Sequence, residues 1–214
     1  LHLNITTGRL VLPPNHVPTL VDRSRRLYRS ETTLARLPAI PLDEPRTELH
    51  AQAERQLAAG VRLGHIDCTS TSCWSTRPFC EVVLELARER GVPVRQPVPP
   101  LVRGQVRLPG GGAATATRRL VRVALRHLVV AWRLFPQRSP KAFEQKAALL
   151  VARGVPALDL FIDGYSGRPS VERFLAILEQ LPPGMSEGTV HPGYVEDGLR
   201  LLGGYVAEWE VELA

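Results

Sequence analysis

Short β-rich runs alternate with helical stretches along this chain, and that alternation restricts the fold more than any other feature. It is the sequence sign of βα units feeding a parallel sheet, so the class expected is α/β. Leu1 to Thr6 reads as a strand, and residues 9 to 43 as an irregular, Pro-containing excursion. Pro45 to Ala59 reads as a helix, with Pro in its first turn and Gly60 past its end. Val61 to Thr69 is the next strand. Arg77 to Arg90 is a helix with Phe79, Val82, Val83, Leu86 and Ala87 on one face, stopped by Gly91. Val92 to Gln96 is a strand, and Pro97 to Gly112 a loop. Helices are predicted near 115–135 and 141–153, then a strand from Pro156 to Ile162 with a turn at Asp163-Gly164. Ser170 caps a helix whose Val171, Phe174, Leu175, Leu178 and Leu181 fall at helical spacing. Gly188 to His191 is a short strand, and residues 196–213 a closing helix that Gly203-Gly204 weakens.

The 214 residues suit a single domain spanning 1–214, long enough to bury a core. No apolar run reaches the roughly 20 residues that a membrane helix needs, so a membrane is not an expected partner. No signal peptide opens the chain, and a cytoplasmic location with reduced Cys68, Cys73 and Cys80 is expected. Because position 1 is Leu and a strand begins at once, the start reads as a fragment boundary. The net charge of +6 comes almost wholly from arginine, since lysine occurs only at Lys141 and Lys146. The arginines are scattered, with short groups at Arg23, Arg25, Arg26 and at Arg118, Arg119, Arg122. Nucleic-acid binding would need them clustered on one face, so no nucleic acid is expected and a solvated surface is the simpler reading.

Three constellations carry chemistry. In His65-Ile66-Asp67-Cys68-Thr69, strand alternation puts His65, Asp67 and residue 69 on one face. The C-terminal end of a parallel strand is where α/β folds bind ligands, and a His beside an Asp can ligate a metal or move a proton there. A surface His–Asp pair would look the same. His2-Leu3-Asn4 similarly places His2 and Asn4 on one face of the first strand. His191-Pro192-Gly193-Tyr194 holds an imidazole at a strand end by a Pro-Gly turn.

These segments resemble, in order, those of the YdjC-like carbohydrate deacetylases. Leu1-His2-Leu3-Asn4-Ile5-Thr6-Thr7-Gly8 is similar to that family's first motif. Glu48, Gln52, Gly60 and His65-Ile66-Asp67 match its Glu, Gln, Gly and His-x-Asp stretch, Val92-Pro93-Val94-Arg95 its Leu-Pro-Val-Arg strand, and Thr189 to Tyr194 its late His-Pro-Gly. The resemblance implies a TIM-barrel-like fold, a distorted β/α barrel of parallel strands, here incomplete at the N-terminus. It implies a metal-dependent hydrolase that cleaves the C–N amide bond of N-acetylated amino sugars or oligosaccharides. The metal would polarise the acetyl carbonyl and acidify a bound water. By the same resemblance His2 is a metal ligand, His65, Asp67 and His191 line the reaction centre, and Arg95 orients the site or binds substrate. The cofactor implied is a divalent metal, magnesium or zinc.

Two family features are missing. The family's early Asp-Asp motif is absent, and Thr69 stands where a second ligating His is expected. A neutral hydroxyl is a poor ligand beside an imidazole. Two expectations follow: an active deacetylase, or an inactive relative that has lost the metal and keeps a sugar-binding or scaffold role. Open sheet edges in an incomplete barrel would also invite pairing into homo-oligomers.

Overall fold

The computed structural model describes residues 1–68, 74, 76–95, 139–162, 169–197, 209 and 211–212. The expected loop at 97–112, the helix near 115–135, the Asp163-Gly164 turn and Thr69 lie outside the described residues, as does most of the closing helix. The chain divides into two compact units, Leu1–Pro97 with Leu120–Ala157, and Val98–Arg119 with Leu158–Ala214.

The first unit is built on parallel strands. β1 (His2–Leu3) pairs with β2 (Asp67–Cys68), with His2 opposite Asp67 and Leu3 opposite Cys68. Single parallel bridges extend the ladder from Ile66 to Val94 and from Val94 to Ala157. Mixed α/β architecture with parallel strands is thus as expected, and the described strands close no barrel. They are much shorter than expected. Leu1 to Thr6 keeps only two paired residues, because the Asn4 peptide is taken by a helix side chain instead. Val61 to His65 runs without ladder partners among the described residues, and the described part of the strand expected at Val92 to Gln96 contributes the bridge at Val94.

Two helices share a core with these strands, and a shorter one precedes them. α1 (Ser30–Arg36) lies within the stretch expected to be irregular. α2 (Asp43–Ala58) starts with Asp43 and Glu44, which favour the positive end of the helix dipole. Its buried side includes Glu44 and Glu48 one turn apart as well as Leu49 and Ala53. That polar ridge gives α2 little apolar periodicity. α3 (Arg77–Arg90) matches the sequence reading at both ends and buries Phe79, Val82, Val83, Leu86 and Ala87. Gly91 ends it in the left-handed region, φ 63°, where a residue with a Cβ is strained. Across the pair, Arg46 meets Glu85 at 3.0 Å, an exposed contact that adds little stability. A fourth helix, α4 (Pro140–Ala152), is capped by Ser139, whose Oγ accepts the Ala142 N–H at 3.2 Å. One continuous core joins Leu3, Ile5, Ile66, Val94, Phe79 and Leu150.

In the second unit β3 (Leu160–Ile162) pairs in parallel with β4 (Ser186–Gly188). β4 lies two residues earlier than expected, so Thr189 to His191 follow the strand rather than form it. α5 (Val171–Leu178) begins at the expected cap, with Ser170 Oγ accepting the Arg173 N–H at 3.2 Å. Its apolar stripe is not covered as a whole. Ile177 is buried with Leu160 and Ile162, while Val171, Phe174, Leu175 and Leu178 stay exposed. Two strands about 5 Å apart are too narrow to shield a full helix face. No helix among the described residues is long and apolar enough to cross a membrane.

Candidate active site

Parallel pairing explains how the first two constellations meet. Partners in register point their side chains to the same face, and His2 is in register with Asp67. The His2 Nδ1 lies 2.5 Å from Asp67 Oδ2. The strand carrying Val94 adjoins β2 on its other side, and the next residue, Arg95, brings Nη2 to 2.8 Å from the same oxygen. The Arg95 N–H donates to Ile66 O at 2.9 Å, fixing the backbone from which the guanidinium reaches. Asp67 is therefore the centre of a His–Asp–Arg cluster. Its side chain is 8% exposed and that of Arg95 15%, whereas that of His2 is 56% exposed. The pair is buried at its base and the imidazole opens to solvent.

Burial alone would push the Asp67 carboxyl up. The hydrogen bond with His2 and the positive charge of Arg95 outweigh it and hold the carboxyl below its ordinary value of 3.8. An ionised Asp67 accepting from Nδ1–H leaves Nε2 as the lone-pair face of the imidazole. That arrangement suits a base or a metal ligand.

A second network places β1 from the other side. Gln52 of α2 grips the Asn4 peptide at both ends: Oε1 accepts the Asn4 N–H at 3.0 Å and Nε2 donates to Asn4 O at 2.7 Å. The same Nε2 donates to Glu48 Oε1 at 2.9 Å. Glu48 is fully buried. Its carboxylate also accepts the Val11 N–H at 2.9 Å and the Leu12 N–H at 3.1 Å. Glu44, one turn earlier, accepts the Thr19 N–H at 2.8 Å and its hydroxyl at 2.9 Å. Side chains at 44, 48 and 52 share one helix face, and here they take the hydrogen bonds that a neighbouring strand would otherwise take. The sequence comparison picked out Glu48 and Gln52 without assigning them a job. The signal was their spacing of four, together with a loop rich in unpaired backbone N–H groups.

Of the other expected site residues, His65 lies just before the paired part of its strand, and its carbonyl accepts from the Leu1 amino group at 2.7 Å. Alternation from Asp67 does not fix its side-chain direction, because the regular strand starts only after it. His191 belongs to the second unit. There its backbone N–H donates to Glu212, and its Nδ1 lies 3.9 Å from Glu212 Oε2. Glu212 is a partner that the sequence reading did not single out, because 21 residues separate the pair.

The family expectation of a divalent metal can be set against the donors present. Asp67 is taken up by His2 Nδ1 and Arg95, which leaves His2 Nε2, pointing away from that carboxylate, as the metal donor of this cluster. No group of three or more His, Cys, Asp or Glu suited to a metal occurs among the described residues. A catalytic zinc takes three protein ligands, so the described set does not fit zinc. Magnesium is held by one or two carboxylates and keeps several waters, so a lone imidazole does not make its site either.

The family model described as YdjC-like protein matches residues 1–214. A carbohydrate deacetylase of Brevibacillus brevis is 38% identical over 97 residues, which are 45% of this chain and 37% of that protein. A carbohydrate deacetylase of Thermoanaerobacter pseudethanolicus is 24% identical over 213 residues, 99% of this chain and 66% of its own length. The chain thus spans less than two thirds of either relative. A crystal structure from Enterococcus faecalis V583, named there for cellobiose-phosphate cleavage, superposes with a TM-score of 0.69 at 21% identity, covering 100% of this chain and 67% of that one. At that identity the likeness concerns the fold.

Proposed function

The chain belongs to the YdjC-like family, and we propose that it is a carbohydrate deacetylase-type hydrolase acting in the cytoplasm on the acetamide of N-acetylated amino sugars or oligosaccharides. The observation that carries this reading is the His2–Asp67–Arg95 cluster, formed by the family's own motif residues on adjoining parallel strands. Its neighbours among curated proteins are carbohydrate deacetylases. The wider barrel-like arrangement of strands is part of the same proposal.

In this reading His2 Nε2 would be one ligand of a divalent metal, which would supply polarisation of the acetyl oxygen and a more acidic bound water. Asp67 keeps His2 in the tautomer whose Nε2 faces solvent. Arg95 holds the Asp67 carboxylate ionised and in place, so its role is positioning rather than substrate contact. By the family resemblance His65 is assigned proton transfer beside this cluster. A positioned imidazole contributes roughly 100- to 10,000-fold to such steps.

The second reading, a relative that binds sugar without hydrolysing it, is favoured by one specific observation. The Asp67 carboxylate is engaged by both His2 and Arg95, and the described cluster offers a metal a single donor, His2 Nε2. Titration with magnesium and zinc, followed by an assay of acetate release from an N-acetylglucosamine oligomer, separates the readings. The deacetylase reading expects metal-dependent acetate release that His2→Ala reduces at least about 100-fold. Binding of the oligomer with no acetate released in either metal would establish the second reading instead.

A further inference from the structure

Residues 8 to 27 form a loop that leaves β1 and returns to its own base, where the Leu27 N–H donates to Gly8 O at 3.2 Å and Val21 bridges Leu27. Its inner side is pinned to α2 by Glu44 and Glu48. Its outer side holds a cavity of about 300 Å³ lined by Arg9, Arg25 and Arg26, with Ser24 beside them and Leu10 and Leu12 as an apolar wall. No acidic residue lines it. Among the described residues the ion pairs formed by arginine go to Arg46, Arg77, Arg90, Arg95 and Arg153, and none goes to these three. Three arginines lining one recess gather like charge there, which an anion would neutralise.

The turn that brings two of them there is specifically built. Asp22 Oδ1 accepts the Ser24 N–H at 2.7 Å and the Arg26 N–H at 3.2 Å. Arg25 between them sits at φ 58°, the one positive-φ residue other than glycine among the described residues. Holding a residue with a Cβ there is strained, and such strain collects at binding sites. A glycine would relieve it, yet the position carries a cation.

We propose that Arg9, Arg25 and Arg26 form an oxyanion subsite that binds a phosphate, sulfate or carboxylate group borne on a small molecule whose apolar face rests on Leu10 and Leu12. Guanidinium forks match such groups with paired, charge-assisted hydrogen bonds. The loop is already tied to α2, so little ordering is needed when the anion arrives. The proposal goes beyond the deacetylase reading and stands or falls by binding alone.

The test is calorimetric titration of the whole chain with glucose 6-phosphate, inorganic phosphate and glucose. Glucose 6-phosphate is expected to saturate the protein, and glucose to show no binding. Tighter binding of glucose 6-phosphate than of phosphate assigns the site to a sugar-borne group, whereas equal affinity assigns it to the free ion. Each of Arg9→Gln, Arg25→Gln and Arg26→Gln should weaken binding about threefold to tenfold, and the triple variant at least about thirtyfold. Arg23→Gln, in the same turn but off the cavity, should change it less than about twofold. All of these side chains are exposed, so the variants should melt as the parent does, and the single substitutions decide the matter should the triple variant fail to fold. Absence of saturation by about 10 mM ligand, or equal binding by parent and triple variant, overturns the proposal. So does an oligonucleotide that binds more tightly than glucose 6-phosphate through the same three arginines.

Discussion

Asp67→Asn should lower unfolding stability by about 3 kcal/mol and remove any hydrolytic activity. The substitution keeps the shape and deletes the charge on which His2 and Arg95 converge. Breaking a buried pair by removing one partner leaves the other charge uncompensated, typically at 3 to 5 kcal/mol. The lower end applies because His2 is half-exposed and water can reach it. The pH dependence gives an independent check. The Asp67 carboxyl lies below its ordinary value of 3.8 in the folded chain. Its stabilisation is therefore complete above that value and is lost as pH falls through the lower, folded one. Urea unfolding across the acid range should show a loss in the parent chain that the Asn variant lacks. Equal acid profiles for the two chains would remove Asp67 from the centre of the cluster.

Glu48→Ala should cost about 4 kcal/mol. It strips acceptors from the Val11 and Leu12 N–H groups and from Gln52 Nε2 at a fully buried position. Each orphaned buried donor costs about 1 to 3 kcal/mol, and the empty volume adds to that. Glu48→Gln keeps one acceptor but turns an amide toward a backbone N–H, so about half the loss is expected. Because Gln52 depends on Glu48 to hold Asn4, hydrogen exchange at the Asn4 amide should speed up in both variants. A Glu48→Ala chain that unfolds within 1 kcal/mol of the parent and protects Asn4 equally would show that the helix ridge is not what seats β1.

Both variants act on the same geometric fact. His2 reaches Asp67 only because β1 sits at one height against β2, and two different devices set that height. Backbone pairing does so on one side, with the Asp67 N–H donating to Leu1 O at 2.9 Å. Gln52 does so on the other. A slip of one residue would turn His2 to the opposite face.

Local chemistry wrote a good part of this into the chain. α3 was legible to the residue because its apolar spacing, Pro78 in the first turn and Gly91 stop all agree. The caps at Ser139 and Ser170 follow the same rule, although only Ser170 was read in advance. The motif residues His2, Asp67 and Arg95 were legible as candidates because their types suit metal or proton chemistry and match a family order.

The strands were harder. β-rich composition marks where a chain can extend, but pairing needs a partner far away in sequence, so strands expected to run four to nine residues keep one to four paired ones among the described residues. α1 was missed because Pro and polar residues around it imitate a loop. The polar ridge of α2 defeats periodicity, since Glu44, Glu48 and Gln52 are inside for their hydrogen bonds and not for their apolar surface.

Residue types and local spacing pointed on their own to an α/β chain, and the order of its motifs, by resemblance, to the YdjC-like family with His2, Asp67 and Arg95 as candidates. Only the tertiary structure decided that Arg95 serves Asp67, that Glu48 and Gln52 seat the first strand, and that three loop arginines share one recess. The reason is separation: His2 and Asp67 lie 65 residues apart, and Asn4 and Gln52 lie 48 apart. Contacts across such spans are set by strand register and helix docking, which no local window of sequence contains.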